Sequence, residues 1–330
     1  MIKKMKISVL GAGAWGTTIA NLLAHKGFDV LIWAREKSVK KSINEKNENK
    51  IFLKGIKLSK KLIATNNLPD ISDSDIIINA IPTQYIRPTL KDIKIKGNAI
   101  ILSLSKGIEI NTYERPSEIL HDIFHKDVYV LSGPNFAVEI SKKKPAATTI
   151  AGKDEKIRKI LQEILKTEYL RVYENDDVIG TEIGGAVKNV IAIAAGMSDK
   201  LNLGHNTKAA LITRGLNEIR KLGKKLGAKD ITFLGLSGIG DLILTCNSNI
   251  SRNYSLGYKI ASGKEPLKTI SEMKQIAEGA KTAKALYKLS KKLSIEMPIS
   301  VEVYRVIYEG KSPQKALETL MTRKPKPEFL

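Results

Sequence analysis

Near the start of the chain, Gly11-Ala-Gly13-Ala14-Trp15-Gly16 follows a β-branched run and opens a helical pattern. At that spacing Gly11 permits the tight turn, Gly13 lets a pyrophosphate approach the backbone, and Gly16 lets helix and strand pack closely. The helix N-terminus then faces the anion. A glycine pattern alone is a weak signal; placed between a strand and a helix it predicts a dinucleotide site. The next strand ends in Trp33-Ala-Arg35-Glu36. An arginine here accommodates a 2′-phosphate and favours NADP, whereas Glu36 can reach a ribose hydroxyl and keeps NAD open. Taken alone, Arg35 also reads as a solvated surface charge.

Three further groups carry polar atoms suited to a small anionic substrate. Ser103-Leu-Ser-Lys106-Gly-Ile-Glu109 and Gly133-Pro-Asn135-Phe-Ala137 each follow an apolar strand. Ligands collect at the carboxyl ends of parallel strands, so Lys106 would stand at the mouth of a cleft. By themselves both segments are ordinary strand-end loops. Gly184-Gly-Ala-Val-Lys188-Asn189 sets one lysine in a small, apolar helical stretch. Burial depresses a lysine's pKa, as a general base for an alcohol proton requires. On spacing alone, a lysine snorkelling from a packed helix outweighs that reading. Asp241, after the turn Gly238-Ile-Gly240, could hold such a lysine by a charge-assisted bond, and Ser251-Arg252-Asn253 offers a hydroxyl, a guanidinium fork and an amide suited to a phosphate.

The elements that must position these groups follow from periodicity. Lys6–Leu10, Val30–Ala34, Ile76–Ala80, Ala99–Ser103, Val128–Ser132 and Ala147–Ala151 are near-continuous in Ile, Val, Leu and Ala, as parallel strands covered on both faces are. Helical patterns such as Trp15–His25 separate them, and Glu155–Lys166 leads to a strand at Leu170–Tyr173. Alternation of this kind predicts an α/β, doubly wound Rossmann sheet. Beyond about Val178 the patterns are helical: Val178–Met197, Thr207–Leu226, Thr269–Leu293 and Pro298–Tyr308, with connectors at Gly235–Gly240 and Asn247–Asn253. The expected organisation is a dinucleotide domain over 1–180 and an all-α substrate domain over 181–330, with a helix crossing the junction.

Composition narrows the classes. With 330 residues, 42% hydrophobic and 27% charged, the chain is globular and long enough for two cores. The uncharged runs Asn189–Ser198 and Ile231–Gly240 stop at ten residues, short of the roughly 20 apolar residues that a spanning helix needs. No signal peptide is expected behind Met-Ile-Lys-Lys-Met-Lys, and a single cysteine, Cys246, suits a reducing cytoplasm. The net charge of +21 attracts anions, but the lysines are dispersed and aromatics make up only 5%, which argues against nucleic acid. His121 and His125 lack a third metal ligand, so no metal is expected. Cys246 has no activating histidine nearby in sequence, and Lys37–Lys50 reads as a solvated helix face.

Nine blocks now stand in order: GAGAWGTTIA, IPTQYIR, LSKGIE, GPNFAVE, GGAVKNVIAIAAG, NTKAALITRG, GIGDLILTC, SRN and AEG. Over nearly its whole length the sequence closely resembles the bacterial NAD(P)-dependent sn-glycerol-3-phosphate dehydrogenases. The resemblance implies interconversion of dihydroxyacetone phosphate and sn-glycerol 3-phosphate, chiefly reduction that feeds glycerophospholipid synthesis. It also implies a 6-phosphogluconate dehydrogenase-like helical domain and a homodimer. Lys188 falls on the family's proton acceptor, and Lys106 on a residue touching cofactor and substrate. Gly133, Asn135, Asp241, Ser251, Arg252 and Asn253 fall on substrate positions. Gly11, Gly13, Ala14, Trp15, Gly16, Arg35, Ala137, Arg252, Ile276 and Glu278 fall on cofactor positions. Ala14 replaces a common Ser or Thr, Asn135 replaces the usual serine, and His205 stands where Asp is common. Rival readings are a dehydrogenase for a β-hydroxy acid or pantoate-like substrate, a basic nucleic-acid- or membrane-surface protein, and a cofactor-binding regulator without turnover.

Overall fold

The computed structural model describes residues 5–273, 275–325 and 327–328. Ten strands are present among them: β1 (Lys6–Leu10), β2 (Asp29–Trp33), β3 (Glu48–Asn49), β4 (Leu53–Lys57), β5 (Leu62–Thr65), β6 (Ile76–Asn79), β7 (Ile100–Ser103), β8 (Val128–Ser132), β9 (Ala146–Ala151) and β10 (Leu170–Asn175). Eight form one sheet in the order β10-β9-β8-β7-β6-β1-β2-β5, and β3 pairs with β4 in a separate hairpin. The chain leaves β1 toward β2 and β5, then returns to lay β6, β7 and β8 on the other side. The topological switch therefore lies between β1 and β6, where the Gly11 loop emerges. Helices α1 (Ala14–His25), α2 (Lys37–Lys46), α3 (Thr83–Leu90), α4 (Pro116–Phe124), α5 (Ala137–Ser141) and α6 (Glu155–Leu165) connect the strands.

One expected parallel strand runs the other way. β9 pairs antiparallel with β8, Thr149 opposite Ser132. The connection between them holds only the short α5, which packs on α1 rather than crossing the sheet, so the chain doubles back.

The remainder is helical: α7 (Val178–Lys200), α8 (Gly204–Lys225), α9 (Asp241–Cys246), α10 (Arg252–Ala261), α11 (Pro266–Glu272), α12 (Glu278–Leu293), α13 (Pro298–Tyr308) and α14 (Pro313–Met321). By length and composition alone α7 would pass for a membrane-crossing helix, which the short uncharged runs did not suggest. It is instead a core helix, with 83% of its apolar window buried inside the protein. Ile183, Val187, Val190 and Ile191 are fully buried there, each worth about 1.5–3 kcal/mol relative to exposure. Helix α10 crosses α7 at backbone contact: a Cβ on Gly257 would lie 1.9 Å from the Ile193 carbonyl, and one on Gly196 2.0 Å from that of Tyr254. The single helix predicted over Thr269–Leu293 is two, interrupted between Glu272 and Glu278.

The two halves are also pinned by a buried carboxylate. Glu182 of α7 accepts from Ser117 N at 2.8 Å and from Arg115 Nη1 at 2.7 Å, at the N-terminus of α4. Burial pushes the Glu182 carboxyl up, and the Arg115 guanidinium opposes that shift. Removing either partner would strand a buried charge.

Candidate active site

Each fingerprint glycine has its own physical reason. Gly11 adopts φ +104°, and a Cβ there would meet the Ala80 carbonyl at 2.9 Å. A Cβ on Gly16 would lie 2.0 Å from the Gly11 carbonyl, whereas one on Gly13 would project into open space. That space is the cradle a dinucleotide needs. Ala14 and Trp15 open α1, whose N-terminus has no side-chain cap and no acid in its first turn. Its free N–H groups favour an anion by about 0.3–1 kcal/mol. Thr18 donates to the Ala137 carbonyl at 3.3 Å and shares a 2.8 Å bond with Ser141, which holds Ala137 beside this helix. Arg35 is exposed and folds onto Glu36 Oε1 at 2.8 and 3.1 Å.

The reacting centre forms around one carboxylate. Asp241, 1% exposed, accepts from Lys188 Nζ at 2.5 Å on one oxygen and from Lys106 Nζ at 2.7 Å on the other. Lys106 also donates to the Gly133 carbonyl at 3.1 Å, and Lys188 to Thr245 Oγ1 at 2.8 Å. Two glycines of α7 make this possible. A Cβ on Gly184 would lie 2.3 Å from the Ser237 carbonyl, and one on Gly185 2.8 Å from Ser132 Oγ and 3.3 Å from Lys106 Cδ. The turn Leu236–Gly240 and the end of β8 thereby close onto α7 and carry Asp241 to Lys188. Burial lowers the Lys188 pKa to about 8; Asp241 opposes this, and the Lys106 charge adds to it.

A second group lies one residue along α7. Asn253 Nδ2 donates to Asn189 Oδ1 at 2.8 Å, and its Oδ1 accepts from Gly279 N at 3.0 Å, leaving one amide hydrogen free. The predicted connector Asn247–Asn253 in fact ends inside α10, with Ser251 as its N-cap, accepting from Tyr254 N. Arg252 is exposed, yet the surrounding protein lowers its pKa against the field of Glu278. Among the described residues its guanidinium makes no hydrogen bond or ion pair, so its fork is free.

Glu278 begins α12 against the β7 loop. A Cβ on Gly107 would meet Thr83 Oγ1 at 2.6 Å and Glu278 Oε2 at 2.9 Å. Burial pushes the Glu278 carboxyl up to about 7, opposed by Arg252 and by the Thr83 backbone N–H. Ile276, just before it, is exposed. Asn135 turns its Nδ2 to Thr148 Oγ1 at 2.8 Å. Its Oδ1, Thr83 Oγ1 and Ser132 Oγ are buried without partners. Each such orphan costs about 1–3 kcal/mol unless a ligand satisfies it. The open cradle and these orphans fit a dinucleotide and a polar substrate.

Sequence reasoning missed Asn189 and Thr245. Both had a signal: Asn189 follows Lys188 directly, and Thr245 lies one turn beyond Asp241 on the same helix face. The declined residues have structural tasks. Cys246 is buried, which pushes its thiol up to about 12. His121 Nδ1 bonds the Lys126 carbonyl, and His125 caps α4 in the left-handed region. Among the described residues, no group of three His, Cys, Asp or Glu could hold a metal ion.

Two family models cover most of the chain: the NAD-dependent glycerol-3-phosphate dehydrogenase N-terminus over residues 6–158 and the C-terminus of the same family over 177–318. A glycerol-3-phosphate dehydrogenase [NAD(P)+] of Thermotoga sp. is 48% identical over 325 residues, covering 98% of this chain and 99% of its own. The same enzyme of Citrifermentans bemidjiense is 45% identical over 330 residues, covering 98% of each. The crystal structure of glycerol-3-phosphate dehydrogenase from Coxiella burnetii superposes with a TM-score of 0.94 at 34% identity, over 97% of this chain and 99% of that one. With matching sequence blocks, fold and length, the chain belongs to the NAD-dependent glycerol-3-phosphate dehydrogenase family.

Proposed function

We propose that this chain interconverts dihydroxyacetone phosphate and sn-glycerol 3-phosphate using NADP(H) or NAD(H), working chiefly as a reductase that supplies glycerophospholipid synthesis. The observation that carries the reading is the Asp241 carboxylate holding Lys188 and Lys106 together, with Asn253 bonded to Asn189, the next residue along α7, and Arg252 beside it at the start of α10. Gly11–Gly16, Ala137 and the Ile276–Glu278 segment would hold the dinucleotide, which when bound would supply a hydride for the substrate carbonyl carbon. Lys188 donates the proton that the forming alcohol oxygen takes up, and accepts it in the reverse direction. Burial makes its ammonium more acidic than a free lysine's, so the proton leaves more readily near neutral pH. Lys106 steadies the carbonyl end by its charge, anchored on Gly133 and Asp241. Arg252 grips the phosphate with two parallel bonds, helped by the Ser251 hydroxyl and the spare Asn253 hydrogen. Asn135 offers its free Oδ1 to a substrate hydroxyl in place of a serine.

Arg35 favours NADPH, because a 2′-phosphate can displace Glu36 from the guanidinium. The chain works in the cytoplasm as a homodimer, with the functional division near residue 180. A carboxylate-only substrate would not require so rich a grip as Ser251, Arg252 and Asn253 offer together, which disfavours the β-hydroxy-acid reading. The test is absorbance at 340 nm with dihydroxyacetone phosphate against NADPH and NADH. Cofactor oxidation dependent on dihydroxyacetone phosphate supports the proposal. Tight NADPH binding without turnover of this substrate refutes it.

A further inference from the structure

The charged stretch Lys37–Lys50 is not wholly a solvated helix face. Helix α2 stops at Lys46, Asn47 turns left-handed at φ 50°, and the chain enters β3 with Asn49 at 0% exposure. A fully buried asparagine must place its amide, and this one uses both ends. Asn49 Nδ2 donates to the Ala12 carbonyl at 2.9 Å and to Thr17 Oγ1 at 2.9 Å. Its Oδ1 accepts from Phe52 N at 3.1 Å, and Thr17 Oγ1 donates to the same Ala12 carbonyl at 3.3 Å.

The Ala12 carbonyl and the Gly13 N–H belong to one planar trans peptide and point in opposite directions. Holding the carbonyl inward therefore aims the Gly13 N–H outward, toward the open space above Gly13. The hairpin reaches the other half of the molecule as well. Gln275 Nε2 donates to the Phe52 carbonyl at 3.3 Å, directly before Ile276 and Glu278. A hydrogen-bonded path thus runs from Ala12 through Asn49 and Phe52 to Gln275.

We propose that Asn49 is a positioning residue that orients the glycine loop for the cofactor, and that the Glu48–Lys57 hairpin, through Gln275, straps this loop to the Ile276–Glu278 segment. This rests on the reading that Gly11–Gly16 seats the pyrophosphate. Asn49→Asp isolates the claim, since a carboxylate still accepts from Phe52 N but cannot donate to Ala12. The expected result is a Kd raised about tenfold for NADPH and NADH alike, on the scale of one lost buried hydrogen bond. The equal effect follows because the pyrophosphate is common to both cofactors. The KM for dihydroxyacetone phosphate at saturating cofactor should stay within about twofold, and Gln275→Ala should raise both cofactor Kd values about threefold.

Gly13→Val is the control: its side chain enters open space, so the chain folds, and only a ligand over the loop would feel it. If Gly13→Val binds cofactor normally, the loop reading itself falls. If Gly13→Val loses binding while Asn49→Asp binds as wild type, the Asn49 proposal is overturned and the loop reading stands. Should circular dichroism show Asn49→Asp unfolded, Thr17→Val carries the test, because it removes the hydroxyl shared with Asn49 and Ala12 while keeping the shape. A folded Thr17→Val with unchanged Kd values would overturn the proposal equally.

Discussion

In its proposed role as proton donor, Lys188, its pKa lowered by burial to about 8, would set the pH dependence of both reaction directions. Reduction needs the ammonium, because it must give a proton; oxidation needs the neutral amine. At pH 7 about nine-tenths of Lys188 is ammonium and at pH 9 about one-tenth, so kcat/KM for dihydroxyacetone phosphate should fall roughly tenfold across that interval. For sn-glycerol 3-phosphate it should rise by a similar factor. Asp241→Asn keeps the shape but removes the charge that favours the ammonium, while the lowering effects of burial and Lys106 remain. Both limbs should therefore move to lower pH, each unit of displacement corresponding to about 1.4 kcal/mol. Lys188→Ala should remove the titration altogether and cost about 10²–10⁴ in rate. The assay is initial rate at 340 nm from pH 6 to 9.5 in both directions. A flat profile, or an Asp241→Asn limb displaced upward, would refute the assignment of Lys188 as the titrating proton donor.

Arg252→Lys keeps a charge but loses the fork, so KM for dihydroxyacetone phosphate should rise and kcat fall. Phosphate-free dihydroxyacetone should be turned over at an almost unchanged, very low rate, and equal losses on both substrates would assign Arg252 to the cofactor alone. Arg35→Ala should weaken NADPH by about 1.5–3 kcal/mol and leave NADH nearly unchanged, as fluorescence titration would show; a common shift would deny the 2′-phosphate contact. Cys246, buried and held far from its thiolate form, should resist iodoacetamide in the native state and react once the chain is denatured. Mass spectrometry showing rapid native alkylation would contradict that burial.

The sheet was legible because its strands are rich in apolar residues: β1 and β8 fall on the bounds expected from the sequence, Lys6–Leu10 and Val128–Ser132. The fingerprint loop was legible because its glycines keep a fixed spacing between a strand and a helix, with Gly11 at positive φ and Gly16 against the Gly11 carbonyl. Lys188, Lys106 and Asp241 could be named singly, but their meeting on one carboxylate depends on glycines in α7 that let distant turns approach. The β3–β4 hairpin left no trace, since a two-residue strand inside a lysine-rich stretch carries no periodicity. The antiparallel turn of β9 was hidden for a different reason: a buried apolar strand reads alike in either direction. The break before α12 lay beyond helical periodicity too, because Glu278 is drawn to Thr83 and Gly107 from the other half of the chain.

The crossing of α7 and α10 sets a length scale. Its two glycines bring backbone against backbone, and any side chain added at either would lie about as close as a covalent neighbour. Such a joint has no slack, so α7 and α10, which carry Lys188 and Arg252, cannot slide against each other. In the proposed reading the substrate's carbonyl meets a side chain of one helix and its phosphate a side chain of the other. The contact of the two backbones would then fix where those side chains are rooted, and the free Arg252 fork would supply the reach between them.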